Sequence, residues 1–370
     1  MRLRGQHLAL AVPELPALGD HAARHRRTRE LTVEGAIPAA VLGLLVSAVL
    51  TPVAGLLARR LGAVDLPGPR RSHDRIVPRG AGVALVLGIA CGALVLPVPD
   101  DELLPLVAPI LVAAALGLAE DLWRLRVGLR LLGQCLIAVV AVAWIGPVTE
   151  ISIAGHPLQA GWAWTPMAVI AVIWMMNLFN FMDGSDGLAS LQAAWSAALF
   201  GLAFGAAEHH GPAAFAWLLA AASTGFLLWN RPPASVFLGD SGSLGLGTAL
   251  AVLATLGSVT GSISVWTAFV IVSPFVVDAT LTLARRVVAG ERWYTPHRDH
   301  AYQRLLREGW SHGAVLGGLG AVNALVVTPA AMFVMIRPDA DFAVALVVAC
   351  VLAGIWFLVR TRGETESRSQ

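Results

Sequence analysis

About eleven apolar stretches of roughly 17–24 residues recur along this chain, each long enough to cross a hydrocarbon core of about 30 Å. They fall near 36–58, 80–98, 103–119, 130–146, 166–182, 188–207, 213–229, 243–260, 264–284, 313–336 and 342–360. Charged residues make up only 14% of the 370 positions, against about 25% in soluble domains, and hydrophobic residues reach 56%. The expected fold class is therefore all-α: a polytopic transmembrane helical bundle of about 10–11 spans. Gly, Ser and Thr in the sixth, eighth and ninth spans suit close helix packing. Residues 1–35 read as an N-terminal extension, 36–360 as the membrane domain and 361–370 as a polar cytoplasmic tail.

Orientation follows from arginine, the only strongly basic residue here, since the sequence holds no lysine. Arg59, Arg60, Arg70, Arg71, Arg75 and Arg79 crowd one loop, Arg124, Arg126 and Arg130 a second, and the stretch 285–312 a third. The alternate loops, around Asp100-Asp-Glu102, 147–165, Glu208-His-His-Gly211 and Arg337-Pro-Asp-Ala-Asp341, are poor in it. The rich loops are assigned to the cytoplasm. With eleven crossings the N-terminus is outside and the C-terminus inside, although Arg24, Arg26, Arg27 and Arg29 pull the other way. Pro13, Glu14 and Pro16 interrupt the first apolar run, so no cleavable signal peptide is expected. Cys91, Cys135 and Cys350 sit in apolar runs without metal-ligand spacing and read as small hydrophobes. His209 and His210 read as ordinary loop residues.

The unusual polar motifs all fall on the arginine-rich side. An ionised group in a span costs roughly 2.5–3.5 kcal/mol on insertion scales, so such groups normally line a polar cavity. The run Asn177-Leu-Phe-Asn-Phe-Met-Asp-Gly-Ser-Asp-Gly-Leu188 spaces Asn180, Asp183 and Asp186 three apart, near one helical face; read blandly, its aspartates cap a helix and a turn. Glu120-Asp121 ends the third span, where an interfacial acidic pair is the plain alternative. Phe237-Leu-Gly-Asp-Ser-Gly-Ser243 resembles a glycine nest before the eighth span, with Asp240 placed for a metal and Ser241 for a phosphate. Carboxylates gathered at one face repel unless a cation joins them, and oxygen-only ligands favour Mg²⁺, with Mn²⁺ as an alternative. His297 and His300, with Arg298 and Arg304, read as contacts for an anion rather than a zinc site. Arg71, His73 and Arg79 fit either phosphate or anionic lipid.

These motifs resemble those of the polyprenyl-phosphate N-acetylhexosamine-1-phosphate transferases, the glycosyltransferase group 4 that includes MraY and WecA. The likeness runs over roughly residues 36–330. It rests on Asp65-x-Pro with Arg71-Ser-His and Pro78-Arg79-Gly80, on Asn177-x-x-Asn-Phe-x-Asp-Gly-x-Asp-Gly-Leu188, and on Phe237-Leu-Gly-Asp-Ser-Gly-Ser243. The resemblance implies an MraY-like bundle in which Asp240 is a magnesium ligand and Asp183 belongs to the same cluster. Glu120-Asp121 stands where the family has Asp-Asp. His297-Arg-Asp-His-Ala stands where it has a histidine-rich motif, and lacks the adjacent histidine pair, which favours the WbpL-like branch.

The function so implied is transfer of a sugar 1-phosphate from a UDP-N-acetylhexosamine to undecaprenyl phosphate, releasing UMP and starting a lipid-linked glycan such as O-antigen. The catalytic set expected is Asp121 with Glu120 as alternate, Asp183, Asp186, His297 and His300. Asn177, Asn180, Arg71, His73, Arg79, Ser241, Arg298 and Arg304 are expected to bind substrate, and Asp240 and Asp183 the metal. Direct attack and a phospho-aspartyl intermediate are both compatible with these residues. The setting is the bacterial cytoplasmic membrane, with the site facing the cytoplasm, no nucleic-acid partner, and a homodimer allowed. An MraY-like peptidoglycan precursor transferase is the nearest alternative. A proton- or sodium-coupled transporter is the rival from another class, although transporters place ionisable groups near the midplane and show internal repeats. An inert scaffold would need no acidic cluster.

Overall fold

A computed structural model describes residues 33–65, 76–153, 156–291 and 297–367. The expectations for residues 1–32, including most of the N-terminal extension, and for Arg71 and His73 lie outside them. Helix α1 (Val33–Arg60) is followed by a short antiparallel pair, β1 (Val64–Asp65) with β2 (Val77–Pro78), and by α2 (Gly82–Ala93). Then come α3 (Asp100–Trp123), α4 (Val127–Ile145), a hairpin of β3 (Glu150–Ile153) and β4 (His156–Gln159), α5 (Thr165–Met182), α6 (Leu188–Ala206), α7 (His210–Asn230), α8 (Gly239–Thr260) and α9 (Val265–Val288). A short α10 (Ala301–Arg307) precedes α11 (His312–Val322), which passes through a π-turn at Asn323–Val327 into α12 (Thr328–Ile336), and α13 (Asp341–Ser367) closes the bundle.

Ten helical segments among the described residues are long and apolar enough to span a membrane. The second expected span differs: α2 has only 12 residues, about 18 Å at 1.5 Å per residue. The chain still crosses there. Pro97 meets Gly35 at one end of α1, and Pro78 meets Gly55 near the other, so residues 78–97 run the same length of bundle as twenty residues of α1, about 30 Å. Loose turns after Ala93 supply the remaining reach. Loops alternate between the two ends as the arginine pattern requires, and α13 continues to Ser367, about two turns into the stretch expected to be a tail.

Helix α8 is the hub, packed against α3, α5 and α2 and largely buried along its length. Its small residues let neighbours approach at backbone distance. A side chain at Gly117 of α3 would overlap the Asp240 carbonyl of α8, so the two backbones touch just where the polar motifs meet. One set of polar side chains inside the bundle is linked in series: Asn323 donates to Gln192 (2.9 Å), Gln192 to Ser196 (2.9 Å) and Ser196 to the Ile271 carbonyl (3.0 Å), tying α6, α9 and the π-turn together. At the opposite end from the motifs, the Trp266 indole donates to the Ser152 carbonyl and pins the hairpin onto α9.

Candidate active site

The glycine-aspartate-serine motif is not a loop before α8 but its first turn, beginning at Gly239 with φ +73°. Its N-terminus is buried, and such an end leaves amides without helical partners. Asp121, in the last turn of α3, satisfies two of them: the N–H groups of Asp240 and Ser241 donate to its two carboxylate oxygens at 3.0 Å each. The Asp121 side chain is 1% exposed, whereas the adjacent Glu120 points elsewhere and accepts from the Leu125 N–H at 2.8 Å, closing the turn at left-handed Arg124. The two acidic neighbours therefore do different jobs, and neither lines the cleft.

That cleft, about 280 Å³, opens at the arginine-bearing end. Arg79 crosses its floor, Nε 3.0 Å from Asp121 Oδ1 and Nη2 2.6 Å from Asp240 Oδ1. Asn180 of α5 donates to the same Asp240 oxygen (2.9 Å) and to Ser243 Oγ (3.2 Å). Asp183, just past α5, also faces the cleft. Dense burial holds its carboxyl well above the usual range; Arg79 opposes the shift, while Asp240 and Asp121 reinforce it.

Asp186 stands in the opposite wall, accepting from the Ala234 N–H at 2.9 Å, while its own N–H and the Ser185 hydroxyl meet His312 Nδ1 at 3.2 and 2.9 Å. Arg298 and Gln303 close a third side. The structure thus brings Asn180, Asp183, Asp186, Asp240, Arg79 and Arg298 to one cleft. It places Asn177 a turn deeper, donating to Gln134 of α4 and the Ile173 carbonyl at 2.8 Å each. Ser241 is fully buried, its hydroxyl directed at the Gly80 carbonyl, and Arg304 lies on α10 outside the cleft wall.

The histidines stand behind the wall. His300 is 3% exposed, its ring between Phe181 and Tyr302, and His297 lies 5.0 Å from it centroid to centroid. Burial, His300 and Arg286 push the His297 pKa down to about 4, so it is neutral at pH 7 and offers an anion no charge. Asp278 is a residue that the motif reading passed over. From inside α9 it accepts the Ala301 N–H with both oxygens (3.0 and 3.1 Å) and the Thr282 hydroxyl at 3.1 Å, fixing the start of α10 beside His300. A single aspartate in an apolar span was the available signal. His312, Gln303 and Asn230 carried no such mark.

Among the described residues no three His, Cys, Asp or Glu side chains form a ready-made metal site. Magnesium does not need one, because it is commonly held by one or two carboxylates, waters and substrate phosphates. Asp183 and Asp240 meet that requirement with oxygen donors in one polar cleft.

A family profile described as Glycosyl transferase family 4 matches residues 103–258. The chain is 31% identical over 342 residues to a decaprenyl-phosphate N-acetylglucosaminephosphotransferase of Mycobacterium tuberculosis, covering 82% of this chain and 83% of that protein. The chain belongs to the MraY/WecA superfamily. It is also 27% identical over 315 residues to a probable undecaprenyl-phosphate N-acetylglucosaminyl 1-phosphate transferase of Bacillus subtilis (80% and 86% covered). A phospho-N-acetylmuramoyl-pentapeptide-transferase of the same organism shares 29% over 312 residues (77% and 94%). As a member of the MraY/WecA superfamily the chain is a multi-pass membrane enzyme of the phosphotransferase type, and most of the residues that line its cleft, from Asn180 to Asp240, lie within the matched stretch.

Proposed function

We propose that this enzyme transfers a sugar 1-phosphate from a UDP-N-acetylhexosamine to undecaprenyl phosphate, releasing UMP, at the cytoplasmic face of a bacterial inner membrane. The observation that carries the reading is the cleft itself: carboxylates and guanidinium groups converge at the arginine-bearing end of a membrane bundle. A water-soluble diphosphate reaches that end from the cytosol while an isoprenoid tail stays in lipid.

Arg298 and Arg79 are placed to orient phosphate oxygens through charge-assisted hydrogen bonds. Asp240 and Asp183 would hold Mg²⁺, which when bound neutralises charge building on the UMP leaving group. Asp121 spends both oxygens on backbone amides and on Arg79, so its part is to fix the first turn of α8 and hence Asp240. The acceptor phosphate has a second pKa near 6, which rises among carboxylates. The product would start a cell-envelope glycan such as O-antigen.

The test is UMP exchange: purified enzyme with Mg²⁺ and undecaprenyl phosphate should move labelled UMP into UDP-N-acetylglucosamine. Exchange only with UDP-N-acetylmuramoyl-pentapeptide would favour the peptidoglycan precursor reading, and none with any UDP-sugar would overturn the proposal.

A further inference from the structure

Arg79 is bound as a cation would be. Its guanidinium bridges Asp121 and Asp240 at 3.0 and 2.6 Å, and Asp183 is the third carboxylate in its field. The carboxylates are fixed: the side chains of Asp121, in the last turn of α3, and Asp240, in the buried first turn of α8, are 1% and 7% exposed, whereas the Arg79 side chain is 45% exposed. The mobile member of the cluster is therefore the cation. An arginine cannot leave by losing its proton; it leaves only by swinging away.

We propose that Arg79 is an internal counter-ion that occupies the carboxylate cluster in the resting enzyme and must be displaced from Asp240 before a divalent cation binds there. The inference rests on the metal reading given above. Two consequences follow from electrostatics. With Arg79 in place the cluster is partly neutralised and one oxygen of Asp240 already accepts two donors, from Arg79 and Asn180, so free divalent cation binds weakly. A diphosphate entering the cleft gives the displaced guanidinium a new anionic partner, so cation and nucleotide bind cooperatively. The arginine thereby keeps the empty site from holding metal alone and commits metal to the substrate-bound state.

The sign of one substitution separates this from a simple phosphate contact. Replacing Arg79 by Gln removes the competing charge while the backbone bond from Arg79 N–H to the Ala63 carbonyl (2.9 Å) remains available. Mn²⁺ binding to the purified, nucleotide-free protein in detergent is read by electron paramagnetic resonance of the free ion. Arg79→Gln should bind Mn²⁺ at least tenfold more tightly than wild type. Arg79→Lys, which keeps the charge but not the two-carboxylate bridge, should fall between them. Asp240→Asn should bind more weakly. Adding UDP should tighten Mn²⁺ binding in wild type and much less in Arg79→Gln.

Unchanged or weaker binding in Arg79→Gln, with Asp240→Asn still weakened, would overturn the counter-ion role and leave the metal site standing. Equal binding in wild type and Asp240→Asn would remove the metal site and the inference with it. Thermal unfolding separates these results from misfolding: Arg79→Gln should be less stable than wild type in chelator and recover on Mn²⁺ addition. Should Arg79→Gln fail to purify folded, Arg79→Lys carries the test, and no tightening there counts against the proposal.

Discussion

Substituting Asp121 by Asn tests whether this carboxylate acts by holding α8. The carboxylate accepts two backbone N–H groups at 3.0 Å and is sealed from solvent. An asparagine has one oxygen, so one buried amide would face an NH₂ group instead of an acceptor. A hydrogen bond to a charged group contributes about 1.5–3 kcal/mol, and a donor left unsatisfied in a buried site adds its own desolvation cost; together these come to about 3 kcal/mol. Near 1.4 kcal/mol per factor of ten, the opening of the first turn of α8 should become roughly a hundredfold more frequent. Hydrogen exchange across 237–245 reads this directly, and UMP exchange should fall in parallel because Asp240 rides on that turn. Glu120→Gln is the contrast: its oxygen can still accept from Leu125 N–H, so activity should stay within a few fold. Wild-type exchange protection in Asp121→Asn, or equal damage from Glu120→Gln, would refute the reasoning.

Asp240→Asn keeps the side chain's shape but removes its charge. Loss of one preorganised electrostatic group typically costs roughly 3–4 kcal/mol in the transition state, so UMP exchange should drop a few hundredfold or more with a raised magnesium requirement, while a change at Asp101 on the opposite end should do little. Asp278→Asn should release the Ala301 N–H from one of its two oxygens, raising hydrogen exchange at the start of α10 and lowering kcat, with Asp278→Glu failing to rescue if the α9–α10 spacing is as tight as the distances imply. His297 is neutral in the fold down to about pH 4 and would titrate near 6.5 when its segment opens. The stability it contributes is thus present above pH 6.5 and lost as the pH falls from there toward 4; exchange protection of 297–307 should decline over that window, and a His297→Gln variant should lose that component. Reporter fusions after 181, 240 and 300 should read cytoplasmic and those near 101, 155 and 339 periplasmic; a periplasmic 300 would separate Arg298 from the other cleft residues.

Much of the bundle was legible because the signals were long and repetitive. A run of twenty apolar residues has few fates, and arginine alternation fixes the order of its ends. The failures were local and have one cause. Apolar length says that a segment crosses, not how: α2 has only 12 helical residues, turns after Ala93 complete the passage, and Gly82 lets the start of α2 lie directly on Gly242 of α8. Likewise the glycine-serine motif read as a loop, since glycine is a poor helix former. It is helical because α2 and α3 press against it at backbone distance and Asp121 satisfies its amides, a tertiary arrangement that no window of sequence contains.

The same limit governs the site. Residue type and spacing could say that acidic and basic groups gather at one membrane face, and Asn180, Asp183, Asp186, Asp240, Arg79 and Arg298 do meet there. Spacing could not say which carboxylate is spent on structure. Glu120 and Asp121 are neighbours, but on a helix adjacent residues point about 100° apart. One therefore closes a turn and the other caps a different helix. Asn177 and Asn180 lie one turn apart on a single face, yet the bundle's depth divides them: Asn177 meets Gln134 inside, and Asn180 meets Asp240 at the cleft. In a membrane bundle, where backbone groups must be satisfied within the protein, a polar residue in a motif is first a candidate for its neighbour's backbone. It reaches substrate only when those obligations have been met by something else, as Asp121 meets those of α8 and leaves Asp240 facing the cleft.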